Sequence, residues 1–169
     1  MRILGIDPGY AIVGYGVVDY EKNRFSVAGF GAITTPAGAP FPRRLQDIFE
    51  DMEQIIEKYK PDALAIEKLY FNTNTTTAID VAQARGVIVL AAQRHGLAFA
   101  EYTPLQVKQA ITGYGRAEKR QVMEMVKHFL NLTKTPKPDD TADALALAVC
   151  HAHYAGTGYG ELYREVNQK

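Results

Sequence analysis

One cysteine in 169 residues, Cys150, is too few for an intrachain disulfide. The chain is therefore expected to rely on its core rather than on covalent staples, and to suit a reducing cytoplasm. No apolar run approaches the roughly 18 residues that span a bilayer. Nor does the start carry a charged stretch followed by a long apolar one, so neither a membrane helix nor a signal peptide is expected. Net charge is missing too: 19 basic and 19 acidic side chains cancel. That argues against nucleic-acid binding through bulk charge, while leaving room for a local positive surface. Low-complexity tracts and paired His–Cys spacings are absent. What remains is an ordinary globular composition, 47% hydrophobic and 22% charged. One domain of this size buries roughly two-thirds of its unfolded surface. A single domain over residues 1–156 is expected, with the glycine-punctuated residues 157–169 as a mobile tail.

The apolar run Ile3–Ile6 ends on Asp7 and the turn pair Pro8-Gly9, and so reads as a strand buried on both faces. Residues 12–19 and 25–33, joined by the polar turn 20–24, predict two more strands and an antiparallel meander. Residues 34–42, with three prolines, are expected to be loop. Arg43 to Lys60 is the clearest helix, with Leu45, Ile48, Phe49, Met52, Ile55, Ile56 and Tyr59 on one stripe. A second buried run, Ala63–Ile66, ends on Glu67. A helix between two buried strands makes them parallel, so Asp7 and Glu67 should leave the same sheet edge. Neighbouring strands about 4.8 Å apart would bring both carboxylates within reach of one ion.

Residues 68–77 read as a polar loop holding Tyr70 and Phe71, with Thr75 or Thr76 capping a helix to His95. Ala78, Ala82 and Gly86 give that helix a small-residue face. Leu97–Tyr102 predicts a fifth strand, Pro104–Ile111 and Ala117–Leu130 two helices, and Asp139 or Asp140 the cap of a last helix to Tyr154. The order suggests an α/β protein, a mixed five-stranded sheet flanked by helices on the ribonuclease H-like plan.

Asp140 and Asp143 fall at i and i+3 in the first turn of that last helix, on one face. Acids there are also favoured by the helix dipole alone, and an Asp before Pro-Gly is often a turn residue. Together with Asp7 and Glu67, however, they form an all-oxygen cluster that needs a compensating cation. Such a donor set suits Mg²⁺ or Mn²⁺ rather than zinc. Two such ions about 3.5–4 Å apart are the arrangement that cleaves phosphodiesters.

The motifs ILGIDPG (3–9 within the opening), GAI (31–33), LAIE (64–67), AQARG (82–86), VKQA (107–110), AEK (117–119) and DDTADALALA (139–148) are similar, in order and spacing, to those of the RuvC family of Holliday-junction resolvases. The resemblance covers nearly the whole chain. It implies a ribonuclease H-like fold, a homodimer on four-way DNA junctions, and paired symmetric Mg²⁺-dependent cuts leaving 5′-phosphate and 3′-hydroxyl ends. Its acidic tetrad falls on Asp7, Glu67, Asp140 and Asp143, although some relatives carry histidine at the position of Asp140. The resemblance also implies DNA-contacting or transition-state cations at Lys108 and Lys119, a stacking aromatic at Tyr70, and a branch-migration helicase complex as partner. Phe71 follows Tyr70, and the sequence does not choose between the two rings.

Lys108, Arg116, Lys119 and Arg120 concentrate before the last two acids, where either a solvated face or a phosphate-contacting surface fits. Dimerisation suits a two-fold substrate, and the small-residue helix 78–95 is the expected interface. His95, His128, His151 and His153 are expected to be structural or solvent-facing, with His151 two turns beyond Asp143. Arg85 is left between a partner subunit and DNA. Other readings are an RNA-processing nuclease of the YqgF type, a non-catalytic junction-binding module, and an ATPase of the actin and sugar-kinase type. The last duplicates its domain, and 169 residues hold one copy.

Overall fold

The computed structural model describes residues 1–69 and 77–155. Ten elements follow one another: β1 (Arg2–Asp7), β2 (Ile12–Glu21), β3 (Arg24–Thr34), α1 (Phe41–Tyr59), β4 (Ala63–Glu67), α2 (Ala78–Arg94), β5 (Ala98–Tyr102), α3 (Pro104–Thr112), α4 (Lys119–Phe129) and α5 (Asp139–Ala155). The strands form one sheet in the order β3-β2-β1-β4-β5. β1, β2 and β3 are the expected antiparallel meander, and β4 and β5 are parallel to β1. This is the mixed five-stranded sheet with flanking helices that the sequence predicts.

β1 is central because its side chains are apolar on both faces. Leu4 and Ile6 join Ile48 and Met52 of α1 and Ile88 of α2 on one side. Ile3 joins Leu145 and Val149 of α5 and Val122 and Val126 of α4 on the other. All three β1 side chains are fully buried, which is why the run is continuous rather than alternating.

The element ends differ from expectation in instructive places. Residues 41 and 42 are not loop: α1 starts at Phe41 with Pro40 as its N-cap and a proline in its first turn. A helix start leaves its first N–H groups unused, so the prolines that would break an interior are tolerated there. α4 starts at Lys119 rather than Ala117, because Glu118 and Gln121 form a reciprocal capping box. Thr103 and Gln106 do the same for α3. Thr77 occupies the cap position of α2 without a side-chain cap bond, and Thr75, Thr76 and the tail 157–169 lie outside the described residues.

At Gly5 and Gly14 the backbone of α5 lies directly against the sheet. A Cβ on Gly14 would collide with the carbonyl of Asp140, and one on Gly5 with the carbonyl oxygen of Ala144. Gly16 faces the Leu145 side chain and backbone in the same way. The buried Thr141 hydroxyl donates to the Gly31 carbonyl at 3.0 Å and ties the start of α5 to β3. Gly14 is the register partner of Asp7, so this contact sets the first turn of α5 beside the end of β1. Gly14→Ala is expected to cost about 1–3 kcal/mol by overpacking, a drop of several degrees in a thermal melt. An unchanged melting temperature would mean that α5 does not sit so close.

Candidate active site

The C-terminal edge of the parallel strands gathers the acids. The last register pair of β1 and β4 is Ile6 with Ile66, so Asp7 and Glu67 are the next residues on adjacent strands. Both are half-buried, as are Asp140 and Asp143 in the first turn and a half of α5. Lys119, the first residue of α4, donates to Asp143 Oδ2 at 2.9 Å and stands 3.9 Å from Asp139 Oδ2.

The electrostatics show how close these groups are. Burial pushes the Asp7 carboxyl up to about 8, and the charges of Glu67, Asp143 and Asp140 push in the same direction, against Lys119. Burial also raises Glu67, with Asp143 adding to it and Lys119 opposing. Lys119 is held above its ordinary value, first by its hydrogen bond to Asp143, with the charges of Asp139 and Asp7 contributing. Asp7 and Glu67 thus feel the charges of acids on α5, and one of the expected cations lies beside them.

Asp139, the acid next to them, is different. It is paired with Lys137 at 2.7 Å, and that bond holds its carboxyl below the usual range. The other expected cations are not drawn in: Lys108 lies on α3, Arg116 precedes α4 and Arg120 is in its first turn, and none makes an ion pair among the described residues. Tyr70 and Phe71 lie outside the described residues.

Two features were not legible in the sequence. Arg85 of α2 donates through Nε to the Glu67 carbonyl at 3.3 Å and through Nη2 to Glu101 at 2.6 Å. Lys68 meets the same Glu101 at 3.4 Å. Arg85 therefore braces the backbone of a candidate ligand, and its place in AQARG was the available signal. His151 lies behind the sheet edge, its Nδ1 sharing a hydrogen bond of 2.8 Å with the Tyr102 hydroxyl. Tyr102 is the register partner of Glu67, so this bond links His151 to the strand beside the acid-bearing one.

The residues fit hard divalent ions. A buried carboxyl raised to about 8 among three further acids is a site that ionises fully near neutrality only when a cation joins it. The donors are all oxygens, which favours Mg²⁺ or Mn²⁺. Among the described residues these acids do not bring three ligating atoms within 4.8 Å of one another, as mutual repulsion and the competing Lys119 contact would dictate.

A family model described as crossover junction endodeoxyribonuclease RuvC matches residues 3–151. The RuvC protein of Alkaliphilus oremlandii is 60% identical over 153 residues, covering 90% of this chain and 93% of that relative. That of Brevibacillus brevis is 58% identical over 154 residues, covering 91% and 93%. The structure of Thermus thermophilus RuvC in complex with a Holliday junction substrate superposes with a TM-score of 0.89 at 34% identity, over 94% of this chain and 97% of that one. The yeast mitochondrial Holliday junction resolvase Ydc2 superposes at 0.69 with 15% identity, a likeness of fold.

Proposed function

The chain belongs to the RuvC family of crossover junction endodeoxyribonucleases, and from that premise we infer how its own residues carry out the reaction. It is a ribonuclease H-like, metal-dependent endonuclease that resolves four-way DNA junctions in recombination and repair. The observation that carries the site is the convergence of Asp7 and Glu67, which end adjacent parallel strands, with Asp140 and Asp143 in the first turns of α5, where Lys119 meets Asp143 at 2.9 Å.

In this reading Asp7, Glu67, Asp140 and Asp143 hold two Mg²⁺ ions, with Mn²⁺ able to replace them. When bound, the ions lower the pKa of the attacking water and neutralise charge on the scissile phosphate and its leaving 3′ oxygen. Asp7 and Glu67, fixed by paired strands, set the rigid side of the site. Asp140 and Asp143 ride on α5 and close it from the other side. Lys119 is exposed enough to exchange its bond to Asp143 for a phosphate oxygen of the substrate, where its positive charge stabilises the transition state. Lys108, Arg116 and Arg120 neutralise neighbouring phosphates of the junction arms. Tyr70 or Phe71 stacks on a base at the junction centre, a contact that contributes about 1–3 kcal/mol.

The active form is a homodimer that makes two symmetric cuts, leaving 5′-phosphate and 3′-hydroxyl ends. The outward side of α2 supports that reading. Ile79 and Leu90 are 66% and 56% exposed on it, and Gly86 between them has open space where a Cβ would be. Apolar side chains around a glycine suit a close helix-to-helix contact between copies. The enzyme acts in the cytoplasm alongside a branch-migration helicase complex. Among the described residues, no helix is long and apolar enough to cross a membrane.

The test offers labelled four-way junction, linear duplex and RNA hairpin to the enzyme with Mg²⁺ and with EDTA, and sediments the same sample. Symmetric nicking of the junction alone, lost in EDTA, by a protein that sediments as a dimer is the expected result. Equal cleavage of linear DNA or RNA would overturn the junction specificity, and a monomer on the junction would overturn the dimer.

A further inference from the structure

A second group of metal-ligand side chains lies at the opposite edge of the sheet from the acids. Glu53 and Glu57 are one turn apart on α1, so they share a face. His95, the residue that ends α2, meets them there: one ligand atom from each of the three lies within 4.8 Å of the others. Among the described residues this is the one such set of three. Pro61 and Leu97, which line the same hollow, lead into β4 and β5. The hollow is therefore beside the N-terminal ends of the strands whose C-terminal ends carry Glu67 and Tyr102.

The group holds a shielded carboxylate oxygen that makes no hydrogen bond. Glu53 Oε2 meets His95 Nε2 at 3.2 Å, but Glu53 Oε1 is shielded from solvent with no hydrogen-bond partner. Arg94 Nε stands 4.0 Å from it, beyond hydrogen-bond reach. A shielded carboxylate oxygen without a hydrogen bond is costly, and an ion bound directly to it would offset that cost more fully than the distant Arg94 guanidinium. Glu57 and His95 are exposed at the mouth, so an ion has a path in from water. Lys60 lines the hollow as well. Its side chain is exposed and makes no ion pair with either glutamate among the described residues.

We propose that Glu53, Glu57 and His95 form a divalent metal site, separate from the catalytic acids, that takes a borderline transition ion such as Zn²⁺. Two carboxylates and an imidazole favour such ions over Mg²⁺, which prefers oxygen alone. Bonds of about 2.0–2.2 Å need only small side-chain rotations to close from the spacing present. His95 binds through Nε2 with its ring proton on Nδ1, giving up the direct contact with Glu53, and water fills the remaining positions. The ion clamps the C-terminal turn of α1 to the end of α2. It acts on the stability of that half of the fold rather than on the phosphodiester.

The experiment is a Zn²⁺ titration of the full chain carrying Asp7→Asn, which weakens the catalytic acids as competing ligands, in millimolar Mg²⁺. It is followed by calorimetry, by thermal melting and by the imidazole signals of ¹⁵N-histidine-labelled protein. One equivalent should bind, raise the melting temperature, and shift the His95 signals while those of His128 and His153 stay in place. Adding Glu57→Gln or His95→Gln, both at exposed positions, should weaken binding at least about tenfold and remove the thermal shift. Circular dichroism would check that both variants fold, and if one does not, the other and the histidine spectra decide. Affinity unaffected by both substitutions, unmoved His95 signals, or no one-equivalent event up to millimolar Zn²⁺ would overturn the site.

Discussion

Asp7→Asn is expected to lower junction cleavage by about 10³-fold or more while leaving junction binding intact. The asparagine keeps the shape of the side chain and its place at the end of β1, but removes the charge that a divalent ion needs. No other acid can move into its place, because β1 is held on one side by β2 and on the other by β4. Binding should hold or tighten slightly, since a negative charge is removed beside the phosphates. Single-turnover cleavage and a gel-shift titration on the same junction separate the two effects. Cleavage within tenfold of the unsubstituted enzyme would remove Asp7 from the metal-binding set.

The second large effect is on stability, and it runs against the first. Without metal, the Asp7 carboxyl in the folded protein is raised to about 8 from an ordinary 3.8. The folded state therefore holds its proton over a range in which the unfolded chain has lost it. For a group raised in this way, stability is highest below the unfolded pKa, falls as pH climbs from about 4 to about 8, and levels off above. Over that window the metal-free protein should lose on the order of a few kcal/mol from this residue. Asp7→Asn removes the titration, so the metal-free variant should melt higher than the unsubstituted protein at pH 8 and no higher at pH 4. Mg²⁺ should raise the melting temperature of the unsubstituted protein at pH 8 and that of the variant much less. Parallel melting curves for the two proteins across the whole pH range would show that Asp7 is not under this strain.

Much of this architecture is readable from the chain because it is written in local patterns. The two apolar runs that end on Asp7 and Glu67, with one amphipathic helix between them, are sufficient to make those strands parallel and to put both acids at one edge. The helix boundaries that differ do so at helix starts, where the first N–H groups have no intrahelical partner. The prolines at 40 and 42 look like breakers until they are placed at a helix start, and the Glu118–Gln121 box moves the start of α4 to Lys119.

Long-range pairing was not readable. Lys119 and Asp143 are 24 residues apart; the resemblance names Lys119 together with Lys108, and the packing of α4 against α5 is what separates the two. The same holds for the pairing of His95, which is solvent-facing as expected and also meets Glu53 across two helices. Spacing along a sequence reveals ligands that share one helix, such as Asp140 with Asp143, and misses those that other elements of the fold supply.

The bare glycine track under α5 has a consequence for precision. Most helices rest on a sheet through a layer of side chains, each of which can change rotamer and let the helix drift by a fraction of an ångström. Here backbone meets backbone at Gly5 and Gly14, so at those two points the separation between strand and helix is set by atomic radii rather than by side chains. Asp7 and Asp140 inherit that stiffness, and thermal jitter between the two sides of the ion-binding edge is kept small. A hard ion tolerates little error in the distances of its oxygens. The missing side chains act as the gauge that holds those distances.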